Sequence, residues 1–232
     1  MTRPMSPKLA DLAQYSANVV RSGLAVGPGG NTSVRDGTTM WISPSGLALD
    51  AIANEQWVAL DIATGQPVHA PLRPSSEYLM HLGIYRERPD VHAIVHTHPT
   101  YTIAVASTGY DTIPIMFPDH VAIAGCLAAL EYITPCTPEL AETVSRELAA
   151  PAAPGLILRN HGLITVGATM REAWNRTIVT EEAARVFTFA RLLGTPRILT
   201  DDECEAILAL DAERYRQQLL RVADANGSHD LR

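Results

Sequence analysis

Apolar and polar positions change period several times along the chain, and each change marks an element. Leu9, Leu12, Ala13, Ser16, Val19 and Val20 recur three and four residues apart behind Ser6-Pro7, a capping residue followed by proline at the first helical position. That pattern predicts an amphipathic helix ending before Gly23. Gly27-Pro28-Gly29-Gly30-Asn31 cannot continue it, and the short runs 38–42 and 57–61 read as strands separated by turns. A second helix is expected to open at Ser75-Ser76-Glu77 and reach Tyr85 or Arg88, with Leu79, Met80, Gly83 and Ile84 inward. Residues 91–96 form a buried strand in this reading, 100–107 a helix and 113–116 a Pro-bounded strand. Thr137-Pro138-Glu139 starts another helix, and 155–159 and 163–166 are strands joined by the turn Asn160-His161-Gly162. The last third is helical. Thr169-Met170-Arg171-Glu172 and Thr200-Asp201-Asp202-Glu203 have the form of capping boxes, and Gly194 with Pro196 closes the long helix between them. Helices at both ends with strands and shorter helices between predict an α/β sandwich around a mixed sheet.

With 232 residues, 47% of them apolar and 19% charged, the chain has the size and mix of one domain with a sizeable core, spanning 1–232 with a frayed tail after about residue 223. Apolar stretches such as 121–130 are too interrupted to cross a bilayer, so no membrane partner is expected. The first seven residues lack the charged start and apolar middle of a secretory signal, which points to the cytoplasm. Cys126, Cys136 and Cys204 are odd in number and show no CxxC spacing; they are expected as small buried hydrophobes. Asn31-Thr32-Ser33, Asn175-Arg176-Thr177 and Asn226-Gly227-Ser228 match the glycosylation pattern by chance if the chain is cytoplasmic. The net charge of −7 with scattered basic residues excludes non-specific nucleic-acid binding, but not a phosphorylated small molecule, because backbone N–H groups and hydroxyls hold phosphate without lysine.

Candidate chemistry gathers in a few segments. His96-Thr97-His98 places two imidazoles at i and i+2, on one side of a strand end, where they could share an ion; alone, such a pair also arises by accident. His161 stands at a strand-to-turn position, where a loop histidine bonded to a carbonyl is the plainer reading. Gly29-Gly30-Asn31-Thr32-Ser33, Ser43-Pro44-Ser45-Gly46 and Ser75-Ser76 offer backbone N–H groups, amides and hydroxyls suited to an anion, or else to ordinary loops and caps. Glu77 is either a dipole-stabilising cap or, beside a metal, a general base; Asp119 and His120 are turn residues that could transfer protons.

In their order and spacing, Gly30-Asn31-Thr32-Ser33, Ser43-Pro44-Ser45-Gly46, Pro74-Ser75-Ser76-Glu77, His96-Thr97-His98-Pro99 and Asn160-His161-Gly162 together resemble the class II aldolase and adducin family of sugar-phosphate aldolases and epimerases, from about Leu9 to Phe189. The resemblance implies a three-layer α/β/α sandwich with a central mixed, largely antiparallel sheet, assembled as a homotetramer with sites between subunits. It implies that His96, His98 and His161 bind zinc or another divalent ion such as manganese or cobalt, and that Asn31, Ser45, Gly46, Ser75 and Ser76 hold the phosphate of a small sugar or sugar acid. Glu77 would shuttle the proton on an enediolate carbon that the ion stabilises as a C–C bond is cleaved. The family places a further proton-transfer tyrosine or aspartate in the loop that reads Phe117-Pro118-Asp119-His120 here, a departure that leaves reaction type open; Asp119, His120 and a C-terminal Tyr215 reaching a neighbouring subunit are the candidates. Pro28 stands where the family has a hydroxyl donor. Aldol cleavage leads this reading; 3-oxo-tetronate phosphate decarboxylation, with Arg159 as a cation for the carboxylate, epimerisation, dehydration, an adducin-type scaffold and a structural zinc site are the alternatives.

Overall fold

The computed structural model describes residues 6–150 and 153–222; the frayed tail expected after residue 223 lies outside them. Eight strands form one sheet in the order β4-β3-β2-β1-β5-β8-β7-β6, where β1 is Asn31–Asp36, β2 Thr39–Ile42, β3 Val58–Asp61, β4 Pro67–His69, β5 Ala93–Thr97, β6 Ala128–Leu130, β7 Gly155–Leu158 and β8 Gly162–Gly167. Every neighbouring pair is antiparallel except β6 with β7. The helices are α1 (Pro7–Arg21), α2 (Tyr78–Glu87), α3 (Thr100–Ala106), α4 (Pro138–Glu147), α5 (Met170–Leu193), α6 (Asp201–Leu208) and α7 (Asp211–Arg221). None is long and apolar enough to cross a membrane among the described residues.

The three layers follow from alternation along the central strands, since successive side chains leave opposite faces. Ile94, Ile164, Val166, Leu156 and Leu158 join Met80, Leu82 and Ile84 of α2 and Leu140 and Val144 of α4 in one core. Ala93 and Val95 pack instead with Leu12 and Val19 of α1 and Met170 and Ala173 of α5, while Ile157 and Leu163 meet Val105 of α3 and Phe187 of α5. The expected α/β/α sandwich is therefore the observed one. Its central strand, β5, carries His96 on the face that looks toward α2.

Most predicted element starts are seen: Ser6, Thr137, Thr169 and Thr200 each accept a hydrogen bond from the backbone two or three residues into their helix. At Thr169 the box is modified, because the Glu172 carboxylate reaches back to the Ala168 N–H rather than to the capping residue itself. Three expectations are corrected. Residues 113–116 have no ladder partner and form no strand; Ile113 is buried by side-chain packing alone. The inward side of α2 is Met80, His81, Leu82, Ile84 and Tyr85, with Leu79 and Gly83 only half-buried. Cys126 and Cys136 are exposed and Cys204 is half-exposed, so none is a core hydrophobe.

Candidate metal centre

Sheet register brings the separated motifs together. Asn31 lies directly opposite His96 across β1 and β5, and Thr97 opposite Leu163 across β5 and β8. His98 follows β5 by one residue, tied by its N–H to the Leu24 carbonyl at 2.9 Å. His161 occupies the turn from β7 to β8, where Asn160 adopts a left-handed conformation with φ of 55°, a conformation asparagine tolerates better than most residues. The adjacent Gly162 has no room for a side chain: a Cβ there would stand 2.3 Å from the Thr97 carbonyl oxygen and 2.9 Å from His98 Cδ2. The Asn-His-Gly sequence thus combines a tight turn, a ligand and a close strand approach in three residues.

Two loops meet the same end of the sheet. Pro44 bridges Pro74, and the Ser75 N–H donates to the Ser43 carbonyl at 3.0 Å, so the segments around Ser45, Gly46, Ser75 and Ser76 lie side by side. That bridge holds the chain extended through Ser75, and α2 therefore starts two residues later than the serines suggest. Glu77 is its N-cap in position only. Its side chain makes no capping bond and turns instead to the histidines. Glu77 Oε2 stands 3.1 Å from His96 Nε2, and Oε1 stands 3.3 Å from His161 Nε2.

Glu77, His96, His98 and His161 offer donor atoms that all lie within 4.8 Å of one another. The rings surround a common point, edge to face or tilted, with centroids 5.0 Å apart for His96 and His98, 4.9 Å for His96 and His161, and 5.4 Å for His98 and His161. His96 Nδ1 is 3.0 Å from the Leu163 carbonyl, which can only accept, so Nδ1 carries a proton and Nε2 is the nitrogen turned to the cluster. Burial first, then His96 and His161, push the pKa of His98 down to about 4, so it is a neutral imidazole near pH 7. Burial alone would raise the Glu77 carboxyl; the adjacent His96 and His161 outweigh it and hold the group far below the usual carboxylate range.

His96 Nε2, His98 Nε2 and Glu77 Oε1 are buried without a hydrogen-bond partner. Buried polar atoms without partners are costly in a dry interior, and a divalent cation among them removes that cost. Three imidazole nitrogens and one carboxylate suit zinc, manganese or cobalt, and no cysteine belongs to this cluster. The donor set therefore fits the expected ion.

The other predicted residues fall in three places. Asn31 is buried at the start of β1 and donates from Nδ2 to Glu77 Oε2 at 3.0 Å. Residues 31–34 are laddered to β5 and 33–36 to β2, and the Gly29 N–H is bonded to the Val26 carbonyl at 3.2 Å, so the flexible stretch with open N–H groups expected at Gly29–Ser33 shrinks to Gly30. Ser45, Gly46 and Ser76 are exposed, while Ser75 is buried and accepts from the Glu77 N–H at 3.3 Å. Asp119, His120 and Tyr215 lie outside the cluster. Asp119 is exposed and paired with Arg216 at 2.6 Å; His120 is buried in the π-helical turn His120–Ala124; Tyr215 is 61% exposed on α7. Arg159, the cation considered for a substrate carboxylate, is already held by Asp111 at 2.6 Å, Glu131 at 3.0 Å and the Ala106 carbonyl at 2.9 Å. Sequence reasoning missed His81, fully buried on α2. Its spacing of four from Glu77 and again from Tyr85, one stripe of a helix, is the signal that marks it.

Residues 10–188 match the class II aldolase and adducin N-terminal domain family. The chain belongs to that family. It is 33% identical over 211 residues to a 5-deoxy-D-ribulose 1-phosphate aldolase of Bacillus thuringiensis serovar kurstaki, covering 90% of this chain and 96% of the relative. It is 30% identical over 197 residues to a 3-oxo-tetronate 4-phosphate decarboxylase of Haemophilus influenzae, covering 83% and 91%. A solved L-fuculose 1-phosphate aldolase superimposes with a TM-score of 0.81 at 30% identity, over 92% of this chain and 98% of that one. The five motifs that suggested the family lie within the matched range or on its sheet, and the eight-stranded sandwich is the family's fold.

His81 and His120 carry a consequence for acid stability. Burial lowers their pKa values from 6.5 to about 3 and about 4. Unfolded, both bind a proton below pH 6.5; folded, they stay neutral until far lower, so the unfolded state gains protons first. The contribution of these two groups is therefore constant above pH 6.5 and is lost as the pH falls from 6.5 to about 4 for His120 and about 3 for His81, by on the order of 1 kcal/mol per pH unit for each group. Urea unfolding at a series of pH values should show that slope, and His120→Gln should reduce it.

Proposed function

We propose that the protein is a divalent-metal-dependent lyase that cleaves a carbon–carbon bond of a small phosphorylated ketose. The carrying observation is the convergence of His96, His98, His161 and Glu77, with buried lone pairs that lack any other partner. When bound there, the ion would polarise the carbonyl and adjacent hydroxyl of the sugar and stabilise the negative charge left as the bond parts. Glu77 then serves as the base and acid at the carbon that loses its bond, taking the proton in one direction and returning it in the other. Asn31 anchors the carboxylate through Oε2, which also faces His96, and leaves Oε1 turned to His161.

Asn31, Ser45, Gly46, Ser75 and Ser76 hold the phosphate in this reading, orienting the carbonyl toward the imidazoles. The bridge between Pro44 and Pro74 supports it by placing the two serine loops together beside Glu77. Tyr215 is the candidate for taking the proton from the hydroxyl that becomes the departing aldehyde's oxygen, presented by a neighbouring subunit of a homotetramer; Asp119 is already paired and His120 enclosed. Exposed Phe189, Leu192 and Leu193 at the end of α5 supply apolar surface that assembly would cover.

The second reading is decarboxylation of a 3-oxo-acid phosphate, favoured by the Haemophilus influenzae relative. The commitment of Arg159 to two carboxylates weighs against it. The test is incubation of the metal-loaded protein with 5-deoxyribulose 1-phosphate, fuculose 1-phosphate and a 3-oxo-tetronate 4-phosphate. Release of dihydroxyacetone phosphate and an aldehyde from a ketose phosphate is the expected result; CO₂ release would select the second reading, and no turnover of any would remove both.

A further inference from the structure

The Glu77 carboxylate ends a line of buried side chains that crosses between α2 and β1. Glu77 Oε2 accepts from Asn31 Nδ2 at 3.0 Å, and Asn31 Oδ1 lies 2.6 Å from His81 Nε2. His81 Nδ1 lies 2.7 Å from Ser33 Oγ, which is 2.9 Å from the Tyr85 hydroxyl. Asn31 and Ser33 share a face of β1 by two-residue alternation; Glu77, His81 and Tyr85 share a stripe of α2 by four-residue spacing. All five are buried, Ser33 and His81 completely.

Only one placement of protons satisfies this line. An ionised carboxylate can only accept, so Asn31 must turn its NH₂ toward Glu77 and its carbonyl toward His81. The carbonyl also only accepts, so His81 Nε2 must donate. Burial lowers the His81 pKa to about 3, so the ring is neutral near pH 7 and has a single N–H to give. Nδ1 therefore accepts from Ser33, whose proton is then spent, and Ser33 accepts in turn from Tyr85, whose phenol burial keeps protonated.

We infer that His81 is a positioning residue: its Nε2–H holds the Asn31 amide in the one orientation that donates to Glu77, and so fixes the carboxylate beside the histidines. Without that donor the amide is free to turn over. The flipped amide would set its oxygen against the carboxylate, and Glu77 would be driven from its place. Asn31 keeps a second amide hydrogen, so holding Glu77 does not prevent it from also meeting a phosphate. The effect on rate rests on the proposed lyase activity; the proton arrangement does not.

Two measurements test this. Nitrogen-15 NMR of the wild-type imidazoles near neutral pH should find His81 as the neutral Nε2–H tautomer. In kinetics, His81→Leu should lower kcat by about 10- to 100-fold with a smaller change in KM and undiminished zinc content. His81→Gln, whose amide nitrogen can donate from the Nε2 position, should recover most of the loss. An Nδ1–H or doubly protonated His81 would overturn the inference whatever the activity. So would a folded His81→Leu protein with wild-type kcat, or a folded His81→Gln protein as impaired as His81→Leu. Should His81→Leu fail to fold, His81→Gln and the tautomer decide. Should the wild type cleave no ketose phosphate, the lyase reading fails and the tautomer alone supports or overturns the placement of His81.

Discussion

His96→Ala should leave the protein folded and without its divalent ion, and with that loss should go nearly all turnover. His96 is the central ligand of the three. It is fully buried, its ring is fixed by the Leu163 carbonyl, and its Nε2 lies closest to the Glu77 carboxylate among the contacts in the cluster. Deleting it leaves two imidazoles and Glu77, one nitrogen short of the three-histidine set. A metal in such a site supplies several kcal/mol of charge stabilisation in the transition state, and at about 1.4 kcal/mol per decade a loss of about 4 corresponds to roughly a thousandfold in rate. Elemental analysis should find about one ion per wild-type chain and far less in the variant. Chelation of the wild type followed by dialysis should reproduce the loss, and re-addition of zinc, manganese or cobalt should reverse it. A folded wild type that binds no divalent metal would defeat the proposed chemistry, as would a His96→Ala protein that retains the ion in full.

Much of this centre could be seen in the sequence because its ligands carry local signatures. His96-Thr97-His98 closes a strand, and Asn160-His161-Gly162 is a turn whose left-handed residue and missing Cβ both have structural reasons. Their convergence is a matter of register, since β1, β5 and β8 adjoin although they are far apart along the chain. No local pattern reports register; the family resemblance supplied it. Elements without periodicity were harder. β6 is three residues long and joins the sheet by parallel pairing with β7, whereas residues 113–116 have the apolar character of a strand but no edge to join.

The anion segments show a different limit. Ser75-Ser76 has the composition of a helix cap, and in isolation the helix would begin there. The bridge from Pro44 to Pro74 delays it, because it holds the chain in strand-like pairing immediately before the serines. The delay is what frees Glu77 from capping duty. His81 was legible only after Glu77 was known to face inward, for the four-residue spacing then requires His81 and Tyr85 to follow it into the protein.

Glu77→Gln should cost about a hundredfold to ten-thousandfold in kcat while leaving the ion bound. Gln has nearly the same shape, and its amide oxygen can still accept from Asn31, so the line of hydrogen bonds through His81 survives. What disappears is the capacity to take and return a proton. Three imidazoles remain for the metal, which separates this variant from His96→Ala: the first loses turnover with the ion present, the second loses both. The expected KM changes little, because the phosphate contacts assigned to Ser45, Gly46 and Ser76 do not involve the carboxylate. A direct readout avoids dependence on cleavage. The wild type should exchange a carbon-bound hydrogen of dihydroxyacetone phosphate with deuterated water in the absence of any aldehyde, and Glu77→Gln should not. Exchange by Glu77→Gln at a rate within tenfold of wild type would assign the proton transfer to another group and leave Glu77 as a ligand alone.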